Sequence, residues 1–269
     1  MLFPPNNRRT VSHYGDVGDL FAACASFPDL AVLESFRDSP VRLLDLVLYD
    51  CQGKCREAMT WDKVERIRPF LQLQPYIAQC RYADTPEGDV LDGWRHHRPH
   101  RRLNLADRFA EFKHVTHIDR NRSWFLVDQE LVVADVVINR TPRYRDRSRF
   151  PWKAIMRAYS GNCVFVGKPE EHQDFCREWG EIPYHVTPTY LDLARVIAGS
   201  MLFIGNQSSA AWIALGLNHP TWIEQRNNRN DDCHFARKHA WYDGNQMPPD
   251  LDKLPMLNHL AMGSNESWN

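Results

Sequence analysis

The run Ile204-Gly205-Asn206-Gln207-Ser208-Ser209-Ala210-Ala211-Trp212-Ile213-Ala214-Leu215-Gly216 decides the fold. It reads as the end of a buried strand, a tight polar turn and the opening of a helix. Val196-Ile197-Ala198 and Met201-Leu202-Phe203-Ile204 supply the apolar run, Gly205 punctuates it, and Asn206, Ser208 or Ser209 is suited to cap the helix. The first N–H groups of a helix lack intrahelical partners, and beside small hydroxyls they suit a phosphate. At the carboxyl end of a strand in an open α/β sheet, such a turn is where ligands bind. An ordinary strand-to-helix turn has the same pattern, so the flanking segments must decide.

Working outward, strands and helices alternate. Leu131 to Ile138 reads as a strand, Trp152 to Tyr159 as a helix, Asn162 to Gly167 as a strand, and Glu170 to Trp179 and Tyr190 to Ala198 as helices, with His219 to Glu224 as a further strand. The first half repeats the theme. Thr10 to His13 is a short strand, Leu20 to Ala25 a helix ended by Pro28, Val41 to Tyr49 a strand, Trp61 to Leu71 a helix, and Pro75 to Tyr82 a strand. Thr85 to Pro99, rich in Gly, Asp, His and Pro, reads as a loop, and Arg102 to Leu105 as a short strand. This alternation calls for parallel sheets with right-handed crossovers. The expected architecture is α/β with two Rossmann-like domains, residues 1–130 and 131–242, facing across a cleft. The tail, 243–269, is expected to pack back on the first domain.

Bulk properties narrow the classes. The 269 residues carry a formal net charge of −1, 43% hydrophobic residues and 25% charged residues, a soluble globular composition. That balance argues against a protein that coats DNA, although basic residues cluster at Trp94–Arg102 and Arg140–Arg149. No apolar run reaches membrane-spanning length and the amino terminus has no signal-peptide core, so the cytoplasm is the expected compartment. Seven cysteines, an odd number, read as reduced thiols. Cys51, Cys55, His96, His97 and His100 match no common metal spacing, so no metal site is expected.

An ordered series then becomes familiar: Val164-Phe165-Val166-Gly167-Lys168-Pro169-Glu170-Glu171-His172, Tyr190-Leu191-Asp192-Leu193-Ala194-Arg195-Val196-Ile197-Ala198, and Phe203-Ile204-Gly205-Asn206-Gln207-Ser208-Ser209. It resembles the donor half of glycosyltransferase family nine, the heptosyltransferase-like enzymes of GT-B fold, and within it a compact phage or environmental type. Gly15-Asp16-Val17-Gly18-Asp19-Leu20 looks like that family's first glycine-rich loop, and Arg140-Thr141-Pro142-Arg143-Tyr144 with Phe150-Pro151-Trp152 like the start of its second domain. The resemblance implies an inverting, metal-independent transfer of a sugar from a nucleotide-diphosphate sugar to a hydroxyl, with no cofactor. Asp19 matches the family's base, with Asp16 its rival; either also suits a helix N-cap. Dipole and solvent would hold such a first-turn carboxylate ionised unless burial or a neighbour tunes it. Gly205, Asn206, Gln207, Ser208 and Ser209 match the diphosphate-binding turn, with Gln207 standing where the family has an acid. Glu170 or Glu171 matches the carboxylate on the donor's ribose. Arg143, Arg145, Arg147, Arg149 or Lys153 would supply a cation to the diphosphate.

The acceptor side implied by the resemblance is the first domain. There Gly18 and the loop of Trp94, Arg95, Arg98, Arg101 and Arg102 combine basic residues with a stacking aromatic. That suits a phosphate-bearing saccharide core or, alternatively, hydroxymethylated bases of viral DNA, turned out of the stack. A solvated basic loop fits as well. Two further readings stay open: a non-catalytic nucleotide-sugar or nucleic-acid binding module, motivated by Gln207, and an epimerase or hydrolase of sugar nucleotides.

Overall fold

The computed structural model describes residues 8–33, 43–50, 53, 58–96, 103–115, 118–145, 150–225 and 233–242, the side chains of Val32, Leu33, Arg95 and His96 excepted. The chain divides into two compact units, Met1–Asp119 and Arg120–Asn269. The tail from residue 243 lies outside the described residues.

In the first unit β1 (Arg8–His13), β2 (Leu43–Tyr49), β3 (Ile77–Ala83) and β4 (Asp89–Val90) form a sheet of order β3-β2-β1-β4. Every pair is parallel: Val11 lies beside Leu46 on one side and Asp89 on the other. Leu44, Leu46, Val47 and Leu48 are all buried, as a parallel sheet covered on both faces requires. The helices α1 (Val17–Ala23), α2 (Phe27–Leu33), α3 (Trp61–Gln72) and α4 (Leu105–Phe112) accompany it. Aromatic residues fill the core: Phe21 meets Phe70 edge-on at 5.6 Å, and Phe109 meets Phe27 at 6.0 Å and Trp94 at 5.9 Å.

Three expectations for this unit change. Pro28 does not end a helix. A 3-10 turn at Cys24–Ser26 joins α1 to α2, and Pro28 sits in the first turn of α2, where a missing N–H removes no intrahelical bond. Arg102 to Leu105 is not a strand across its described residues: Asn104 accepts the Asp107 amide at 2.9 Å and caps α4, which begins at Leu105. Within the expected loop at Thr85–Pro99, Asp89–Val90 pairs with β1 and a 3-10 turn spans Asp92–His96.

The second unit holds β5 (Val136–Asn139), β6 (Cys163–Phe165), β7 (Leu202–Asn206), β8 (Thr221–Glu224) and β9 (Ala240–Trp241) in the order β6-β5-β7-β8-β9, again all parallel. Its helices are α5 (Trp152–Tyr159), α6 (Pro169–Trp179), α7 (Tyr190–Ala198) and α8 (Ser209–Gly216). One face of the sheet, with Val136, Ile138, Leu202, Ile204 and Trp222, packs with Trp152, Ile155 and Phe175 of α5 and α6. α8 is buried from Ala210 to Gly216 and belongs to the core rather than the surface. The strand expected from Leu131 is shorter than its apolar run. Only Val136 to Ile138 finds parallel partners on both sides, Cys163–Phe165 and Leu202–Ile204. Before it, the Leu131 amide bonds to the Arg195 carbonyl at the end of α7 and Val132 is 74% exposed.

Candidate functional site

Each sheet has one place where strand order reverses: between β1 and β4 in the first unit, and between β5 and β7 in the second. Open α/β sheets bind ligands beyond the carboxyl ends of the strands at such points. Both carry residues singled out by the sequence.

At the second unit's switch point an asparagine ends each strand, and their side chains fasten the loops. Asn206, fully buried, donates through Nδ2 to the Thr141 carbonyl at 2.9 Å and to the Arg143 carbonyl, and its Oδ1 accepts the Thr141 amide at 3.0 Å. Asn139 donates to the Val166 carbonyl at 2.8 Å and accepts the Ser208 hydroxyl at 3.0 Å. Ser208 is the N-cap of α8 and accepts the Ala211 amide at 3.3 Å. The half-buried Ser209 follows, so the Ser209 and Ala210 amides open the helix at the end of β7. Gly205 is required by contact: a Cβ there would stand 2.6 Å from the Asn139 carbonyl oxygen and 2.8 Å from the Phe203 ring. Gln207 is buried. Of the five turn residues, Ser208 and Ser209 are thus the part-exposed ones, and Asn206 holds the loop rather than facing outward.

Asn139 and Thr141 were not among the sequence candidates. Their signal was present: a lone Asn closes each apolar strand, Val136-Val137-Ile138-Asn139 and Leu202-Phe203-Ile204-Gly205-Asn206.

Beneath this loop lies a buried ion pair. Arg140 is wholly buried, and its Nε and second terminal nitrogen donate to the two Glu224 oxygens at 2.7 and 3.0 Å, while the remaining nitrogen bonds Glu178. Trp152 Nε1 adds a bond to Glu224 at 3.1 Å. Burial alone would lower the Arg140 pKa; the two carboxylates outweigh it and the net shift is upward. The pair ties the ends of β5 and β8 across the intervening β7.

The cations and carboxylates around the turn separate by exposure. Arg143 and Lys153 are exposed. Arg145 donates to the Thr141 carbonyl at 2.9 Å and pairs with Asp174 at 3.6 Å, so it is tied to the loop. Glu171 is buried, and its Oε2 accepts the Lys168 amide at 3.0 Å, capping α6. Burial pushes its pKa up against that bond. Glu170 beside it is exposed. Arg147 and Arg149 lie outside the described residues.

In the first unit Gly15 turns the chain at φ 110° just after β1, and Asp16 takes the N-cap position of α1 without a side-chain cap bond. The Asp16 carbonyl accepts the Asp19 amide at 2.9 Å. Asp19 is 5% exposed, Asp16 and Gly18 half-buried. A further group, absent from the sequence candidates, stands at the same switch point. Asp92, also 5% exposed, accepts the Tyr14 amide at 2.8 Å and the Tyr49 hydroxyl at 2.6 Å, with His13 Nδ1 at 3.9 Å. Burial raises the Asp92 pKa to about 6, against the two bonds, which lower it.

The acceptor loop changes character. Trp94, read as an open stacking aromatic, is 1% exposed and packs on Phe109. Of its companions, the Arg95 side chain and all of Arg98, Arg101 and Arg102 lie outside the described residues. Among the described residues no group of three or more His, Cys, Asp or Glu is placed to hold a metal ion, and no helix is long and apolar enough to cross a membrane.

Fold and switch points define the class first: an α/β protein of two parallel, doubly wound units, the GT-B type of architecture. Solved structures then specify it. A glycosyl transferase of family 9 from Veillonella parvula matches with a TM-score of 0.55 at 14% identity, covering 88% of this chain and 85% of that one. The E. coli heptosyltransferase WaaC with ADP matches with a TM-score of 0.57 at 11% identity, covering 89% and 95%. The dodecameric iron-containing heptosyltransferase TibC, in complex with ADP-D-beta-D-heptose, matches with a TM-score of 0.51 at 9% identity, covering 89% of this chain and 64% of that one. At these identities the shared property is the fold. No protein-family model and no curated protein sequence matches the chain.

Proposed function

We propose that this chain is an inverting glycosyltransferase that moves a sugar from a nucleotide-diphosphate sugar to a hydroxyl acceptor. The observation that carries the reading is the second switch point, where α8 opens at the end of β7 under a loop clasped by Asn206. The Ser209 and Ala210 amides, the Ser209 hydroxyl and the exposed Arg143 and Lys153 meet the diphosphate; Arg149 belongs to the same basic segment. Glu170, exposed at the start of α6, takes the ribose hydroxyls.

The reaction is a single displacement. The acceptor oxygen bonds to the anomeric carbon as the bond to the phosphate oxygen breaks, which inverts that carbon. Asp19, buried in the first turn of α1 beside Gly15, receives the hydroxyl proton. The leaving nucleoside diphosphate takes the electron pair, and preorganised amides and cations stabilise it without a bound metal. Phosphate-bearing saccharide and modified DNA bases are both hydroxyl acceptors; the burial of Trp94 takes away the aromatic platform that favoured nucleic acid.

A thermal-shift screen across nucleotide sugars tests the reading. A donor at a hundred times its Kd stabilises by about 2.7 kcal/mol. Nucleoside diphosphate release must then require an acceptor, and Asp19→Asn must lower it by about 10²–10⁴-fold. Binding without release identifies a non-catalytic module, release without acceptor a hydrolase or epimerase, and no binding by any nucleotide sugar overturns the proposal.

A further inference from the structure

The first unit contains a polar cluster that the proposed reaction does not use directly. β4 runs parallel to β1, with Ser12 beside Val90, and the Leu91 amide bonds the Ser12 carbonyl at 2.9 Å. This brings Asp92 to the carboxyl end of β1, opposite the last residue of β2. Tyr49, that last residue, donates its hydroxyl to one Asp92 oxygen at 2.6 Å, and the Tyr14 amide donates to the other at 2.8 Å. The Tyr14 and Tyr49 rings meet edge to face at 5.5 Å.

Tyr14 links this cluster to the β1–α1 loop. It is followed at once by Gly15, whose φ of 110° sends the chain toward Asp16 and Asp19. A left-handed glycine turn has wide conformational freedom. The direction in which it leaves the sheet is therefore set by whatever fixes the peptide before it, and here that is Asp92. We propose that Asp92 is a positioning residue, holding the β1–α1 loop so that Asp16 and Asp19 keep their place at the switch point. The proposal rests on the glycosyl-transfer reading for its kinetic consequences, but not for its structural one.

The lock needs a group that accepts on both sides, which the ionised carboxylate does. A protonated carboxyl carries a donor where Tyr49 also presents one, so one of the two bonds must rearrange. The charged and titratable groups facing Asp92 are His13 on β1, Tyr14 on the loop, Tyr49 on β2 and Lys113 at the end of α4.

The test uses the full chain with Asp92→Asn, Asp92→Ala and Tyr49→Phe, followed by amide hydrogen exchange at Tyr14 and by the pH profile of transfer. Asparagine keeps an acceptor for Tyr14 but, like the protonated carboxyl, presents a donor toward Tyr49 and does not titrate, so the limb near pH 6 disappears and kcat stays at the wild type's acid-side level at every pH. Alanine removes the acceptor, and Tyr14 exchanges about tenfold faster or more while kcat falls about tenfold at unchanged donor KM. Tyr49→Phe removes a bond that favours the carboxylate, so the acid limb moves to higher pH with the fold intact; this serves if the alanine variant does not fold. Unchanged Tyr14 exchange in Asp92→Ala overturns the proposal, as does faster exchange with unchanged kcat, or an acid limb unmoved in Tyr49→Phe. If the wild type transfers no sugar to any acceptor, the functional reading fails and the exchange data alone decide the role of Asp92.

Discussion

Replacing Asn206 by alanine separates two roles for the turn that opens α8. As a clasp, Asn206 supplies the acceptor of the Thr141 amide at 3.0 Å and the donor to the Thr141 carbonyl at 2.9 Å, with a further bond to the Arg143 carbonyl. A hydrogen bond contributes about 1 kcal/mol net, and a buried partner left unsatisfied costs about 1–3 kcal/mol. Thr141 is half-buried, so water reaches part of the vacated site and the total lies near the lower end, about 3 kcal/mol. For a domain of 150–250 residues this lowers the melting temperature by about 6–12 °C. Asn206→Asp fares no better, because a carboxylate oxygen then faces the two carbonyls that Nδ2 served. Calorimetric melting of wild type and both variants, without ligand, reads the effect directly. A melting temperature within about 1 °C of wild type, combined with weakened nucleoside diphosphate binding, refutes the clasp and makes Asn206 a direct ligand.

Two further outcomes follow from the same unit. Arg140→Met leaves Glu224 as a buried charge and costs about 3–5 kcal/mol, whereas Arg140→Met with Glu224→Leu recovers much of that loss, read from urea midpoints at constant slope. Glu171→Ala removes the α6 cap and costs about 1 kcal/mol with donor KM unchanged, while Glu170→Ala leaves the melting temperature alone and raises donor KM about tenfold, as steady-state kinetics on both variants will report.

How much of this was legible in the sequence varies with the range of the interaction. Trp152–Tyr159 and Tyr190–Ala198 were read to the residue because helix boundaries depend on nearby residues: apolar spacing inside, and Thr189 with Asp192 as reciprocal caps at the start of the second. Asn104 and Asp107 carried the same local signal for α4, and reading Arg102–Leu105 as a strand overlooked it. The apolar run at Leu131–Ile138 shows the opposite limit, since propensity does not reveal where a strand runs out of neighbours. The clasp by Asn206 joins residues 65 apart, and Asp92 meets Tyr14 from 78 residues away, within a stretch whose Gly, Asp and His content reads as loop. Such contacts are properties of sheet order, and the sequence offers only a polar residue at a strand end as a hint.

The Arg140–Glu224 pair also has a meaning in time. Its members are 84 residues apart, and the chain is made from its amino terminus at about 5–20 residues per second. Roughly 4–17 s therefore separate the synthesis of the arginine from that of its carboxylate. During that interval the guanidinium stays hydrated, and burying it alone would be opposed by several kcal/mol. The seam between β5 and β8 therefore cannot close until β8 has been made, after the strands and helices from β5 to α8.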